Sequence, residues 1–187
     1  MSTKEYVKNI IRDKNIASIT PTSKKGVQEI CGRINLDNRV VIVEYGPATG
    51  VFTNYLLERI THDSLIIAIE LNENFVQYLN ENITDERLIV HHGSAEEVEE
   101  ITRKYADGKA DYVLSGIPFS FLTPELRDKV VKNTSLVLKE KGKFLPYQTF
   151  YQKDEHLKKY LEKHFANVHD QYFFRNLPPM RIYEASK

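Results

Sequence analysis

The chain has 187 residues, with 26 Lys and Arg balanced by 26 Asp and Glu, 41% hydrophobic and 28% charged residues. That composition excludes collagen and intrinsic disorder, and the length allows one core that buries roughly 70% of the unfolded chain's surface without disulfides or a structural metal. The neutral total hides an uneven distribution, +4 over residues 1–33, −6 over 34–152 and +2 over 153–187, far short of the basic excess with which proteins clamp long duplex nucleic acid.

At the N-terminus, Lys4, Lys8 and Arg12 recur every four residues beside an apolar stripe of Tyr6, Val7, Ile10 and Ile11. This predicts a short basic amphipathic helix, with two equal readings: it lies in the headgroup plane of an anionic membrane, joined by Lys24 and Lys25, or it covers a pocket. Residues 1–33 therefore read as an amphipathic helix and lid segment, and residues 34–187 as the main domain. Residues 1–14 are too polar for a secretory leader, and Cys31 is alone, so a reducing, cytoplasmic location is expected, at most peripheral at a membrane face. No apolar run approaches the roughly 18 residues of a membrane span.

Further along, Val40–Val43 and Leu65–Ile69 are continuous apolar runs of the kind that strands buried on both faces require. Helical periodicity covers Asn72–Asn82 and Pro124–Lys139, and further helices start near Gly50, Ala95 and Asp154. Short strands are predicted at Arg87–His91, Asp111–Ser115, Gly142–Thr149, Asn167–Phe174 and Met180–Glu184. The last two have only Asn176-Leu177-Pro178-Pro179 between them and should pair as an antiparallel hairpin. The expected fold is α/β, a doubly wound, mostly parallel seven-stranded sheet ending in that hairpin. His91 and His92 point to opposite faces of a strand, and no metal site is expected.

After the first strand the chain reads Glu44-Tyr45-Gly46-Pro47-Ala48-Thr49-Gly50-Val51-Phe52-Thr53. Small residues between a buried strand and a helix allow a ligand to approach the backbone at the carboxyl end of the sheet. The spacing is neither the dinucleotide fingerprint nor a P-loop, so phosphate cradling is disfavoured. Glu44 before the turn suits a cation, and Glu70 at the end of the second strand can accept both hydroxyl protons of a ribose. Together they suggest an adenosyl cation.

On these residues the chain resembles the class I S-adenosylmethionine-dependent methyltransferases, whose first motif reads E-x-G-x-G-x-G, with Ala48 here in place of the middle glycine. The resemblance implies a Rossmann-like fold and S-adenosylmethionine as cofactor, converted to S-adenosylhomocysteine. It implies cofactor contacts from Glu44, Gly46, Pro47, Ala48, Thr49, Gly50, Phe52 and Thr53 around the first turn. Glu70 and Leu71, Ser94 and Ala95, and Ser115 would add contacts after the second, third and fourth strands. Ser94 also reads as a helix N-cap, with Glu97 completing a capping box.

The turn after the fourth strand, Ser115-Gly116-Ile117-Pro118-Phe119, is where this family presents its methyl acceptor. The chain resembles the ribosomal RNA adenine dimethylases in plan, but their N-L-P-Y/F turn carries an Asn that accepts from the adenine amine, and Gly116 stands there. The pattern is more similar to the bacterial phospholipid N-methyltransferases, which methylate the amine of phosphatidylethanolamine. Four segments match in order: Ile19–Ser23, Gly46–Thr53, Ser115–Pro118 and Asn176–Pro179. The resemblance implies Ser115, Gly116, Ile117 and Pro118 as acceptor-side residues. Tyr147 and Tyr151, following the fifth strand, and Tyr183 are candidates to stabilise a methylated cation or relay a proton, and Arg175 and Arg181 flank the hairpin turn where a lipid phosphate would want a cation.

The leading expectation is thus a monomeric methyltransferase acting on a phospholipid amine, with nucleic acid disfavoured as a partner. An adenine N6- or small-molecule amine methyltransferase is the alternative. A non-catalytic S-adenosylmethionine-binding module is the third.

Overall fold

The computed structural model describes residues 22–149 and 153–187; the basic stripe from Lys4 to Arg12, and Tyr151, lie outside the described residues. Seven strands form one sheet: β1 (Val41–Tyr45), β2 (Leu65–Glu70), β3 (Leu88–His92), β4 (Ala110–Ser115), β5 (Leu138–Thr149), β6 (Asn167–Phe173) and β7 (Met180–Ser186). Their order is β3-β2-β1-β4-β5-β7-β6. β1 to β5 are mutually parallel, and β7 inserts antiparallel between β5 and β6. The doubly wound sheet with its terminal hairpin agrees with the pattern of apolar runs.

Among the described residues six helices flank it: α1 (Lys24–Cys31), α2 (Val51–Leu57), α3 (Glu73–Asn82), α4 (Val98–Tyr105), α5 (Pro124–Val137) and α6 (Lys158–His164). Val43, Tyr45, Val113 and Phe144 face a core shared with Val98, Val130 and Leu161 of α4, α5 and α6. On the other face, Ile42, Ile66, Leu114 and Leu145 pack with Val27 and Ile30 of α1 and Phe52 and Leu56 of α2. Every β1 residue is buried, and each large apolar side chain so placed contributes about 1.5–3 kcal/mol. The alternation of side chains along β1 therefore decides which face each residue joins.

Several strand ends shift by a residue or two from the apolar pattern, and two boundaries differ for a clear reason. β1 runs on through Glu44 and Tyr45, because the glutamate finds a partner inside the fold. The predicted helix to Lys139 stops at Val137, because Leu138 turns extended and pairs with Ala110 as the first residue of β5. Both sides of that junction are apolar and buried, so periodicity alone does not divide them. The β5–β7 pairing is interrupted at Leu145 and Pro146, between Phe144–Ala185 and Tyr147–Ile182, where the proline lacks a ladder donor.

Strand directions place the ends of β1, β2, β3, β4, β5 and β6 on one side of the sheet. The β6–β7 turn is therefore on that side as well. Arg87 ties two carbonyls of the α2 end to β3, donating to Leu57 O and Ile60 O at 2.8 and 2.9 Å, while its own side chain is paired with Asp85.

Candidate active site

A cleft opens at the carboxyl ends of β1, β2 and β4. It encloses about 870 Å³ of empty space counting its open mouth. Gly46, Ala48, Glu70 and Leu71 line one side, Gly93, Ser94 and Ala95 the next, and Gly116, Ile117 and Pro118 the third. Leu122, Leu126 and Val130 close an apolar end, with Tyr45 and Ile69 beneath.

Gly46 and Ala48 both adopt left-handed backbone, at φ 68° and 50°. A side chain on Gly46 would meet Ile117 Cγ2 at 2.9 Å, so glycine here keeps the first and third walls close. Gly50, also left-handed at φ 76°, serves packing instead: a Cβ there would meet Ile83 and Leu79. It caps α2 and lets α3 approach, and does not line the cleft. Pro47 and Thr49 complete the turn without lining it, Pro47 O accepting from Gly50 N–H at 2.8 Å.

The carboxylate of Glu70 is anchored at the cleft wall. Oε2 accepts from Ala48 N–H at 3.1 Å and Oε1 from Asn72 N–H at 2.8 Å. Burial raises its pKa, opposed by those backbone donors. A carboxylate has about four lone-pair sites, so both oxygens can still accept from a ligand hydroxyl. Ser94 forms the capping box with Glu97, its N–H donating to Glu97 Oε2 at 2.8 Å, while remaining on the cleft wall.

Glu44 is elsewhere. It is 3% exposed, and β1 alternation turns it to the α1–α2 face, where Thr53 Oγ1 donates to its Oε2 at 2.6 Å. Burial pushes its pKa up to about 7, with the Thr53 hydrogen bond opposing and the Glu70 charge adding to the rise. Glu44 and Thr53 thus form a buried pair beneath the glycine turn and do not line the cleft.

On the acceptor side, Tyr147 lies behind Gly116. Its ring stacks on Phe52 at 4.9 Å between centroids. A Cβ on Gly116 would overlap the Tyr147 hydroxyl and come within 2.9 Å of Cζ. Burial, and then the Glu44 charge, hold the phenol well above the ordinary tyrosine range, while the Thr22 hydroxyl opposes through a hydrogen bond. Ser115 is fully buried behind the same turn, and its Oγ has no hydrogen-bond partner among the described residues.

Three contributors escaped the sequence pattern. Arg127 staples the turn after β4 onto α5, Nε donating to Phe119 O at 2.7 Å and Nη2 to Ser120 O at 2.9 Å. Gln148 is buried with both amide atoms unpartnered among the described residues. Asn176 Oδ1 accepts from Ser23 N–H at 2.8 Å, tying the hairpin turn to the start of α1 across 153 residues. Only the Asn-x-Pro-Pro spacing hinted at the last. Arg181, expected at the turn as a phosphate ligand, is buried and paired with Asp170 through Nε and Nη2, both at 2.7 Å.

A family model described as "Methyltransferase domain" matches residues 42–142, more than half of the chain and the stretch that builds this cleft. The chain belongs to the class I S-adenosylmethionine-dependent methyltransferases. It is 28% identical over 176 residues to ornithine lipid N-methyltransferase of Singulisphaera acidiphila, covering 90% of this chain and 86% of that protein. It is 27% identical over 121 residues to ribosomal RNA small subunit methyltransferase A of Alcanivorax borkumensis, 65% of this chain but only 38% of that longer protein. The crystal structure of precorrin-6y C5,15-methyltransferase from Geobacter metallireducens superposes with a TM-score of 0.71 at 14% identity, over 91% of this chain and 92% of that one.

The methyltransferase's residues fit its cofactor. Glu70 presents carboxylate oxygens to the cleft, Gly46 and Gly116 leave backbone room that a Cβ would fill, and Leu71, Ala95 and Leu126 supply apolar walls of the kind an adenine ring requires.

Proposed function

We propose that this methyltransferase methylates the amine of a polar lipid, of the phosphatidylethanolamine type. The observation that carries the reading is the interlock of Gly116 and Tyr147: the space a side chain at 116 would take is filled by a phenol. The side-chain amide that would hold a planar adenine amine is therefore replaced by a hydroxyl and a ring face, which suit a flexible alkylamine and the cation it becomes. The similarity to an ornithine lipid N-methyltransferase along most of both chains points to the same acceptor class.

Bound S-adenosylmethionine supplies an activated methyl group on a sulfonium. The chain's own contribution is alignment. In this reading Glu70 holds the ribose hydroxyls while Gly116, Ile117 and Pro118 form the acceptor wall, with Ser115 buried behind it. The ammonium of the headgroup loses its proton before its lone pair attacks, and Tyr147, hydrogen-bonded to Thr22 and close to the Glu44 carboxylate, is placed to pass that proton inward.

The test is mass spectrometry of lipids from a host that makes no methylated headgroups, expressing the wild-type chain or Glu70→Ala. Methylated amine headgroups are expected with the wild type and absent with Glu70→Ala, and supplying ornithine lipid or phosphatidylethanolamine separately identifies the headgroup. Methylation of RNA with no change in any lipid would overturn the reading. Cofactor binding without any methylated product would leave a binding module.

A further inference from the structure

The β6–β7 turn projects from the same side of the sheet as the cleft. At its tip Phe174 and Leu177 are 75% and 82% exposed, above every other large apolar side chain among the described residues. Single exposed apolar residues are ordinary on protein surfaces, so exposure alone decides nothing. What separates this tip is that the fold holds it outward. Asn176, between the two, is buried, accepting from Ser23 N–H and donating to Pro178 O, both at 2.8 Å. Phe174 stacks on the exposed Tyr172 at 6.2 Å between centroids.

The charges around the tip share one sign. Arg175 is exposed between Phe174 and Leu177, and Lys24 and Lys25 are exposed immediately after Ser23, the residue Asn176 binds. No acidic residue occurs from Gln171 to Tyr183 or from Thr22 to Gln28. Two outward apolar side chains flanked by cations match an anionic bilayer, whose acyl boundary takes the apolar groups and whose phosphates attract the cations. A single-stranded nucleic acid would instead want aromatic faces along a basic groove, and the most exposed group here is aliphatic.

We propose that the β6–β7 turn is a membrane-docking element: Phe174 and Leu177 enter the interface of an anionic bilayer while Arg175, Lys24 and Lys25 rest on its phosphates. Thr22, beside this patch, is hydrogen-bonded to Tyr147 at the acceptor turn, so docking would bring that turn to the lipid surface. This purpose rests on the lipid-amine reading; the surface itself does not.

The chain has no tryptophan, so Leu177→Trp is a unique reporter in the full-length protein. With vesicles of phosphatidylcholine and phosphatidylglycerol in equal parts, its emission should shift to the blue and be quenched by brominated acyl chains. Phe174→Ser/Leu177→Ser should float with these vesicles about 10- to 100-fold less well, with an unchanged thermal transition and unchanged methyl transfer to a short-chain, monomeric acceptor lipid. An unquenched reporter, a double variant that floats like the wild type, or competition by RNA that removes the protein from vesicles would each overturn the proposal. Should the reporter insert while no lipid amine is methylated, the docking surface stands and the acceptor assignment falls.

Discussion

Glu44 and Glu70 end neighbouring strands, are both buried, and are both pushed towards the neutral form by burial. The register pairs Glu44 with Ala68, so alternation puts both acids on one face of the sheet, with Glu70 one step nearer the cleft. Glu70 is held by backbone N–H groups at the cleft wall. Glu44 is held by a helix hydroxyl on the α1–α2 face, in the company of Tyr147 and Cys31, whose thiol is raised by burial and by the Glu44 charge. Two acids at adjacent strand tips therefore divide the labour: one lines the cleft, while the other is a buried titrating group beneath the glycine turn.

The sharpest way to break this comparison uses pH. With a folded pKa of about 7 against 4.5 ordinarily, Glu44 keeps its proton longer in the folded protein than in the unfolded chain. Its stabilising contribution is complete below about pH 4.5 and is lost as pH rises through 7, about 3 kcal/mol in all. Urea unfolding of Glu44→Gln should lose most of that dependence between pH 5 and 8, while calorimetry finds its cofactor affinity within about twofold of wild type. Glu70→Gln should instead weaken the cofactor about 10- to 100-fold, the worth of a hydrogen bond to a charged group. Equal cofactor losses in the two variants would erase the distinction.

The face that holds Glu44 can be probed at Gly116. Gly116→Ala forces a methyl group into the Tyr147 phenol and should destabilise the fold by about 1–3 kcal/mol. The cost should shrink in a Tyr147→Phe background, where the overlapping oxygen is gone, giving a coupling of about 1 kcal/mol or more in a double-mutant cycle. Additive effects would mean that the interlock does not exist in solution.

The buried parallel strands and the glycine turn were readable from residue pattern because continuous apolar runs and small residues have few other uses. The direction of Glu44 was not. β1 is buried on both faces, so its sequence carries no polar–apolar alternation from which to tell inside from outside. Gly46 and Gly50 likewise look alike in sequence, and only the approach of Leu79 and Ile83 separates the packing glycine from the cleft-lining one. The Asn176–Ser23 tie joins positions at opposite ends of the chain, and no local rule reaches that far.

Ala48 offers the smallest and most delicate test, because it belongs to the Glu70 side of the comparison. It is the one residue of the glycine turn that holds a left-handed conformation with a side chain, at φ 50°, and its N–H anchors Glu70. Relieving the left-handed strain with Ala48→Gly should gain about 1 kcal/mol, and the extra freedom of glycine in the unfolded chain should return about 0.4–1 kcal/mol of that. Thermal unfolding should therefore move little, towards greater stability if at all. The cofactor readout is then free of a folding effect: if the methyl group merely narrows the cleft, affinity measured by calorimetry should hold or rise a few-fold. A weaker complex would mean that the methyl group is itself a contact surface, and that alanine here is a fitted part of the Glu70 wall and not a strained substitute for glycine.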